Sequence, residues 1–355
     1  MGHPMPDSPV VTPRHRILAA LQQRPAPLPW IEMLFHKDVA ANILGRPVAG
    51  IAADNPSFAD QAALCDATGL CAVGLPIYDR FGSHKEKTER SYHWVPHIHD
   101  WDDLPSLRFP SVDKSALRAQ AAAAAAAIGD RGLAFFPAGM FCVATTMNDM
   151  GFENFCTRLY DDPGLVRAVM QGYANYNGQL LEYFSAQPEV DFIWVADDIA
   201  YKTSTFFSPA IFRKHILPLW RELAQSIRKP WIFHSDGDFS AILDDLLSLG
   251  MAGIHPLEVG AMDIFALKAR LGSRVALVGN VDMGLLTSGT PAEVQTSVLE
   301  LAERLNAGGG YLLSSGNSIS ADCRPENVAA LGQTLASWNH SRQPLTPSPN
   351  LHEEK

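Results

Sequence analysis

The second half of the chain alternates between short β-branched or aromatic runs and longer amphipathic stretches, and that alternation restricts the fold more than any other feature. Strand-like runs lie at 191–196, 230–234, 252–257, 274–279 and 311–315. Helix signals follow each of them. Ser208-Pro209 opens a predicted helix to about residue 228, with Ser as N-cap and Pro in the first turn. Asp238 or Ser240 caps a helix over 241–249 that Gly250 ends, and Gly272 stops a helix over 262–271. Thr290-Pro291-Ala292-Glu293 is a capping-box start for a helix ending near Asn306, and Pro325-Glu326-Asn327 opens a last helix to about residue 338. Repeated strand–helix units require right-handed crossovers and therefore a parallel sheet.

The first half is compatible with the same plan. Residues 67–74 and 132–137 read as strands, and 116–128, with its alanine run, as a solvent-facing helix. Asp161-Asp162-Pro163 caps a long helix to about residue 186. No Pro/Gly/Ser-rich linker divides the 355 residues, so the expected architecture is α/β: a (β/α)8 TIM barrel over 13–340, a single domain with an N-terminal extension. The ends, 1–12 and 341–355, are expected to lack order because they are Pro-, Ser- and charge-rich.

Composition narrows the partners. Hydrophobic residues make up 47% and charged residues 19%, enough for an extensive core. A net charge of −10 argues against gripping nucleic acid or an anionic membrane, both of which need clustered Lys and Arg. No run approaches the roughly 18 apolar residues of a membrane span. The five cysteines are an odd number, scattered, without a CxxC pair or a preceding signal peptide, which predicts a reduced cytoplasmic protein.

In a parallel α/β fold, ligands bind at the carboxyl ends of the strands. There the sequence places His234-x-Asp236-Gly237, then Glu258 after the next strand. Asp197 and Asp198 follow an earlier strand, with Tyr201 and Lys202 just beyond; two adjacent acids can act as general base and orienting group, the lysine damping their repulsion. Either acid is a candidate. Asn280 and Asp282 follow the strand at 274–279. Glu32, His36 and Tyr78 are candidate substrate contacts, and Met140 and Phe141 a candidate apolar pocket wall, although core packing explains the last two equally well. The plain alternatives are an N-cap role for Asp236 and fixing the turn for Asp282. His93, His97 and His99 alternate like ligands on one strand face, yet the segment reads as a surface insertion.

The order Asp197-Asp198, Ser208-Pro209-x-x-Phe212, His234-x-Asp236-Gly237, Gly279-Asn280-x-Asp282, Gly308-Gly309-Gly310-Tyr311 and Pro325-Glu326-Asn327 resembles the uroporphyrinogen decarboxylase-like superfamily of (β/α)8 barrels. The resemblance is dense over 163–331. Within that group, true uroporphyrinogen decarboxylases carry an Arg-Gln-Ala-Gly-Arg clamp near the N-terminus for their polycarboxylate substrate. Here Trp30-Ile31-Glu32-Met33-Leu34-Phe35-His36 stands instead, without a cation to hold anions.

The methyltransferase branch, with His-x-Cys, a later Glu and a final Cys, is therefore the closer likeness. That resemblance implies a zinc or related divalent ion on His234, Asp236 and Glu258, with Cys323 as a further ligand and Asn317 near the position of the family's last cysteine. It further implies transfer of a methyl group from a small O-, N- or S-methyl donor to a corrinoid (cobalamin) held by a separate protein, and a homodimer. Two alternatives stand beside it. One is a cofactor-independent decarboxylase of a small acid, recruiting Lys202, Arg80 and His234. The other is a non-catalytic ligand-binding barrel.

Overall fold

The computed structural model describes residues 11–51, 54–77, 84–87 and 92–342. Tyr78 and Arg80 lie outside these, as do most of the two terminal segments expected to lack order. Seven strands form one sheet in which every pairing is parallel: β1 (Ala72–Pro76), β2 (Ala134–Met140), β3 (Ile193–Ala196), β4 (Trp231–His234), β5 (Gly253–His255), β6 (Ala276–Val278) and β7 (Tyr311–Leu312). They neighbour one another in chain order. The sheet curls so that one short segment meets both edges. Trp30 bridges Leu70, just before β1, and Leu313, just after β7. The Cys71 N–H donates to the Trp30 carbonyl at 2.9 Å, and the Ile31 N–H to that of Leu313 at 3.0 Å. The result is a TIM-barrel-like α/β fold.

Pleat alternation divides the apolar residues into two cores. Phe136, Trp194, Ile232, Val278 and Leu312 point inward, with the Phe136 ring 5.4 Å from Trp194. Their sequence neighbours, such as Phe135, Ile193, Phe233 and Leu277, face the helices. The outer layer is fastened by caps already visible in the sequence. Asp162 accepts from the Leu165 N–H at the start of Pro163–Ser185, and Thr290 and Glu293 form both halves of the capping box that opens Pro291–Leu305. That helix packs on Pro325–Ser341. No described helix is long and apolar enough to cross a membrane.

Several boundaries move for identifiable reasons. The strand expected at 67–74 begins at Ala72, because Phe58–Thr68 is helical and Gly69, at φ 85°, ends that helix. The helix expected from 209 to 228 runs to Gln225 but passes through a π-helical stretch, Phe212–Ile216. Pro218, next to that stretch, has no N–H to continue the α ladder. The helix expected at 241–249 is a 3₁₀ turn, Ser240–Ile242, followed by a short α segment, Leu243–Leu247. His97 and His99 follow a hairpin, His84–Lys87 with Tyr92–Val95, in irregular chain rather than on a strand.

Candidate metal centre at the barrel mouth

The inward side chains of β4 and β5 end in two histidines. Register pairs Ile232 with Gly253 and His234 with His255, so both rings stand at the same level on the barrel's inner wall. His255 is fully buried, with its ring edge-to-face on Trp194 at 4.9 Å. The two Nδ1 atoms are 2.7 Å apart. His234 therefore directs Nε2 to the mouth, 3.7 Å from Asp198 Oδ1 and 3.8 Å from Asp236 Oδ1. Each of these three residues has a ligand atom within 4.8 Å of those of the other two, a separation a single divalent ion can span.

The carboxylates are held by the loops behind them. The Asp236 N–H donates to Asp198 Oδ1 at 3.2 Å, and Asn317 Nδ2 donates to both oxygens of Asp236, at 3.1 and 2.9 Å. Partial burial pushes Asp236 up to about 6; Asp198 and Glu258 push the same way, against His234 and Asn317. Two acids and an imidazole without a cation among them suit a metal. Gly237 makes the loop possible. Its φ is +80°, and a Cβ there would meet the Tyr201 carbonyl oxygen at 2.5 Å, so the Ala200–Tyr201/Ser204–Thr205 hairpin closes directly over it.

The other candidates fall into distinct places. Glu258 lies outside the three-residue cluster: it accepts from the Gly237 N–H at 3.2 Å and faces Lys202 Nζ at 3.7 Å. Lys202, Asp236, Glu258, Asp282, Gly316 and Asn317 line a cleft of about 220 Å³. A second cleft of about 580 Å³, with Asn280, Phe265 and Leu285 in its wall, shares Val259 and Asp282 with the first. Asn280 donates to the Leu257 carbonyl at 2.6 Å, and Asp282 caps Met283–Ser288. Tyr201 is 65% exposed on the hairpin rim.

Five residues stand elsewhere. Asp197 is fully buried and accepts the N–H groups of Cys142 and Val143 at 2.8 Å and of Ala144 at 2.5 Å, anchoring the start of helix Val143–Met150. Of the adjacent acids, only Asp198 reaches the mouth. Phe141 packs in the core between Trp220 and Trp231, at 5.2 and 5.7 Å, while Met140 is buried at the end of β2. His36 caps helix Lys37–Leu44. Cys323 is buried with its sulfur 3.7 Å from Ser320 Oγ and is not among the clustered ligand atoms.

His255, Ser314 and Ser315, none of them a candidate from the sequence, also belong to the site. Glu32, buried beneath the mouth, accepts from Trp30 Nε1 at 2.7 Å, from the Ser315 N–H and Oγ at 2.9 and 2.6 Å, and from Ser314 Oγ at 3.3 Å. Ser314 Oγ also lies 3.3 Å from His255 Nε2. Burial pushes Glu32 up to about 7 against these donors. The available signal was positional: His255 ends β5 level with His234, and Ser314 and Ser315 follow the end of β7.

A curled parallel sheet with a histidine–carboxylate cluster at its carboxyl-terminal mouth defines a TIM-barrel-like protein of enzyme architecture. A family model, uroporphyrinogen decarboxylase (URO-D), matches residues 86–338. The chain belongs to that family. It is 25% identical over 226 residues to a uroporphyrinogen decarboxylase of Methylococcus capsulatus (60% of this chain, 61% of that one). To that of Azotobacter vinelandii it is 28% identical over 212 residues (56% and 57%). It thus spans about six-tenths of the length of these curated relatives. Among solved structures, a methyltransferase from Methanosarcina mazei superposes with a TM-score of 0.73 at 21% identity, covering 92% of this chain and 99% of that one. This likeness establishes the shared fold.

Proposed function

We propose that this protein is a metal-assisted methyltransferase acting on a small O-, N- or S-methylated substrate, with a corrinoid carried by a separate protein as acceptor. The observation that carries the reading is the convergence of His234 Nε2, Asp198 and Asp236 within 4.8 Å of one another at the mouth. The donor set fits the group: one imidazole and two carboxylates, each supported from behind, leave room for substrate as a fourth ligand. With no thiolate, the set favours a harder ion than a sulfur-rich zinc site would. A bound divalent ion would polarise the substrate heteroatom and stabilise the charge left on it when the methyl group departs. Asp198 and Asp236 hold the negative charge that binds the ion, and Asn317 fixes Asp236. Lys202 and Glu258 flank the smaller cleft, where Lys202 can orient a substrate's polar end. The M. mazei methyltransferase, with the same fold over nearly its whole length, supports this branch of the family.

The mouth is also a poor match for the polycarboxylate of the decarboxylase relatives. The clustered groups are acids and a histidine, and Glu32 stands where a cationic clamp would be needed. Decarboxylation of a smaller acid is the second reading. It is favoured by the family of the curated relatives and by Asp236, held up to about 6 and thus able to protonate a carbanion. The decisive experiment measures bound metal and methyl transfer to free cob(I)alamin from methylated thiols, amines and phenols, for wild type, His234→Ala and Asp198→Asn. Stoichiometric metal and transfer in the wild type only are expected. Metal-free protein whose transfer survives His234→Ala, or carbon dioxide release without any methyl acceptor, overturns the reading.

A further inference from the structure

We propose that Glu32 is a positioning residue that dictates, through Ser314 and His255, which ring nitrogen of His234 carries the proton. The purpose of this relay rests on the metal reading above; its geometry does not. At pH 8.5, above its raised value of about 7, Glu32 is ionised and the polarity at its end is fixed. The Trp30 indole and the Ser315 peptide can only donate, and both donate to Oε1; the two serine hydroxyls lie on Oε2. Only an ionised carboxylate accepts all four. The single proton of Ser314 is thereby turned toward Glu32, and its oxygen has only lone pairs left for His255 Nε2 at 3.3 Å.

His255 must then donate from Nε2. Its complete burial disfavours a charged ring, so a neutral His255 has no second N–H, and its Nδ1 is an acceptor. Across the 2.7 Å Nδ1–Nδ1 contact the donor is His234. Neutral His234 thus carries its proton on Nδ1 and presents a bare Nε2 lone pair to the mouth. The local field alone favours the opposite tautomer: Asp198 and Asp236, 3.7 and 3.8 Å away, would both attract an Nε2–H. That tautomer cannot ligate a metal through Nε2. A carboxylate remote from the cluster therefore overrides the two acids beside it.

Glu32→Gln tests the relay with little change of shape. The amide oxygen can keep the Trp30 and Ser315 N–H bonds, while the NH₂ group now donates to the serine hydroxyls. Ser314 turns its proton to His255 Nε2, and every bond in the chain reverses. The measurement is long-range ¹H–¹⁵N correlation of metal-free, ¹⁵N-histidine-labelled protein at pH 8.5, with the His234 signals assigned by their loss in His234→Ala. The wild type is expected to show His234 protonated at Nδ1 and Glu32→Gln at Nε2, with zinc binding weakened by about 10- to 100-fold. Ser314→Ala, which cuts the chain while leaving Glu32 the Trp30 and two Ser315 donors, is expected to give a mixture of tautomers and serves if Glu32→Gln fails to fold. Nε2 protonation in the wild type, or an unchanged Nδ1–H tautomer in the variants, overturns the proposal. A tautomer switch in protein that binds no zinc supports the relay while refuting the metal reading. Equal zinc binding with an unchanged tautomer does the reverse.

Discussion

Replacing Asp197 with Asn isolates the energetic cost of a buried charge beneath the site. The carboxyl group is fully buried, and burial lifts it from an ordinary 3.8 to about 7 even though three backbone N–H groups favour the ionised form. Between those two values the folded chain holds a proton that the unfolded chain has released. Stability contributed by this group is therefore present at low pH and is lost as pH rises toward 7. From pH 5 to pH 8 the loss amounts to about 3 kcal/mol. Asn cannot ionise. It can keep two of the three backbone contacts, those of Cys142 and Val143 to one oxygen, but opposes an N–H to that of Ala144. Equilibrium urea unfolding, followed by tryptophan fluorescence on metal-free protein at both pH values, measures the difference. The wild type should lose about 3 kcal/mol more than Asp197→Asn across that range, other titrating groups cancelling in the comparison. Parallel pH profiles would refute the reasoning and show that the three amides keep Asp197 ionised throughout.

Zinc at a thousand times its Kd should stabilise the wild type against urea by about 4 kcal/mol and leave His234→Ala unaffected, since only the folded site gathers the ligands; equal stabilisation of both proteins counts against the cluster. Gly237→Ala should cost about 1–3 kcal/mol, because it combines a strained φ with a Cβ 2.5 Å from the Tyr201 oxygen; unchanged unfolding would sink that argument. Phe141→Ala should cost about 3–5 kcal/mol with metal stoichiometry retained, as expected of a core residue between Trp220 and Trp231. Lost metal with unchanged stability would instead return Phe141 to the pocket wall.

Much of the candidate site was legible because its residues are local to strand ends. His234, Asp236, Asp198 and Lys202 each follow a readable strand, and parallel topology places such ends at one mouth. Where the reading was too generous, identical local signals served different neighbours. Asp197 and Asp198 are adjacent, but successive side chains near a strand end face opposite ways; one meets a helix N-terminus and the other the mouth. Glu258 has the spacing of a ligand, yet its oxygens are engaged by Gly237 and Lys202. Cys323 follows the last strand but is buried beside Ser320.

What the sequence determined by itself is the periodic part: parallel strands, capped helices and the level at which polar residues leave the barrel. Periodicity and capping act over a few residues, so they are written into the local chain. Tertiary structure alone decided which polar side chains meet. Glu32 and Ser314 are 282 positions apart and touch only because the Trp30 segment joins both edges of the curled sheet. His234 and His255 face each other only because β4 and β5 pair in one register rather than the next. Hydrogen-bond partnership depends on ångström-scale convergence across strands, which no single segment encodes.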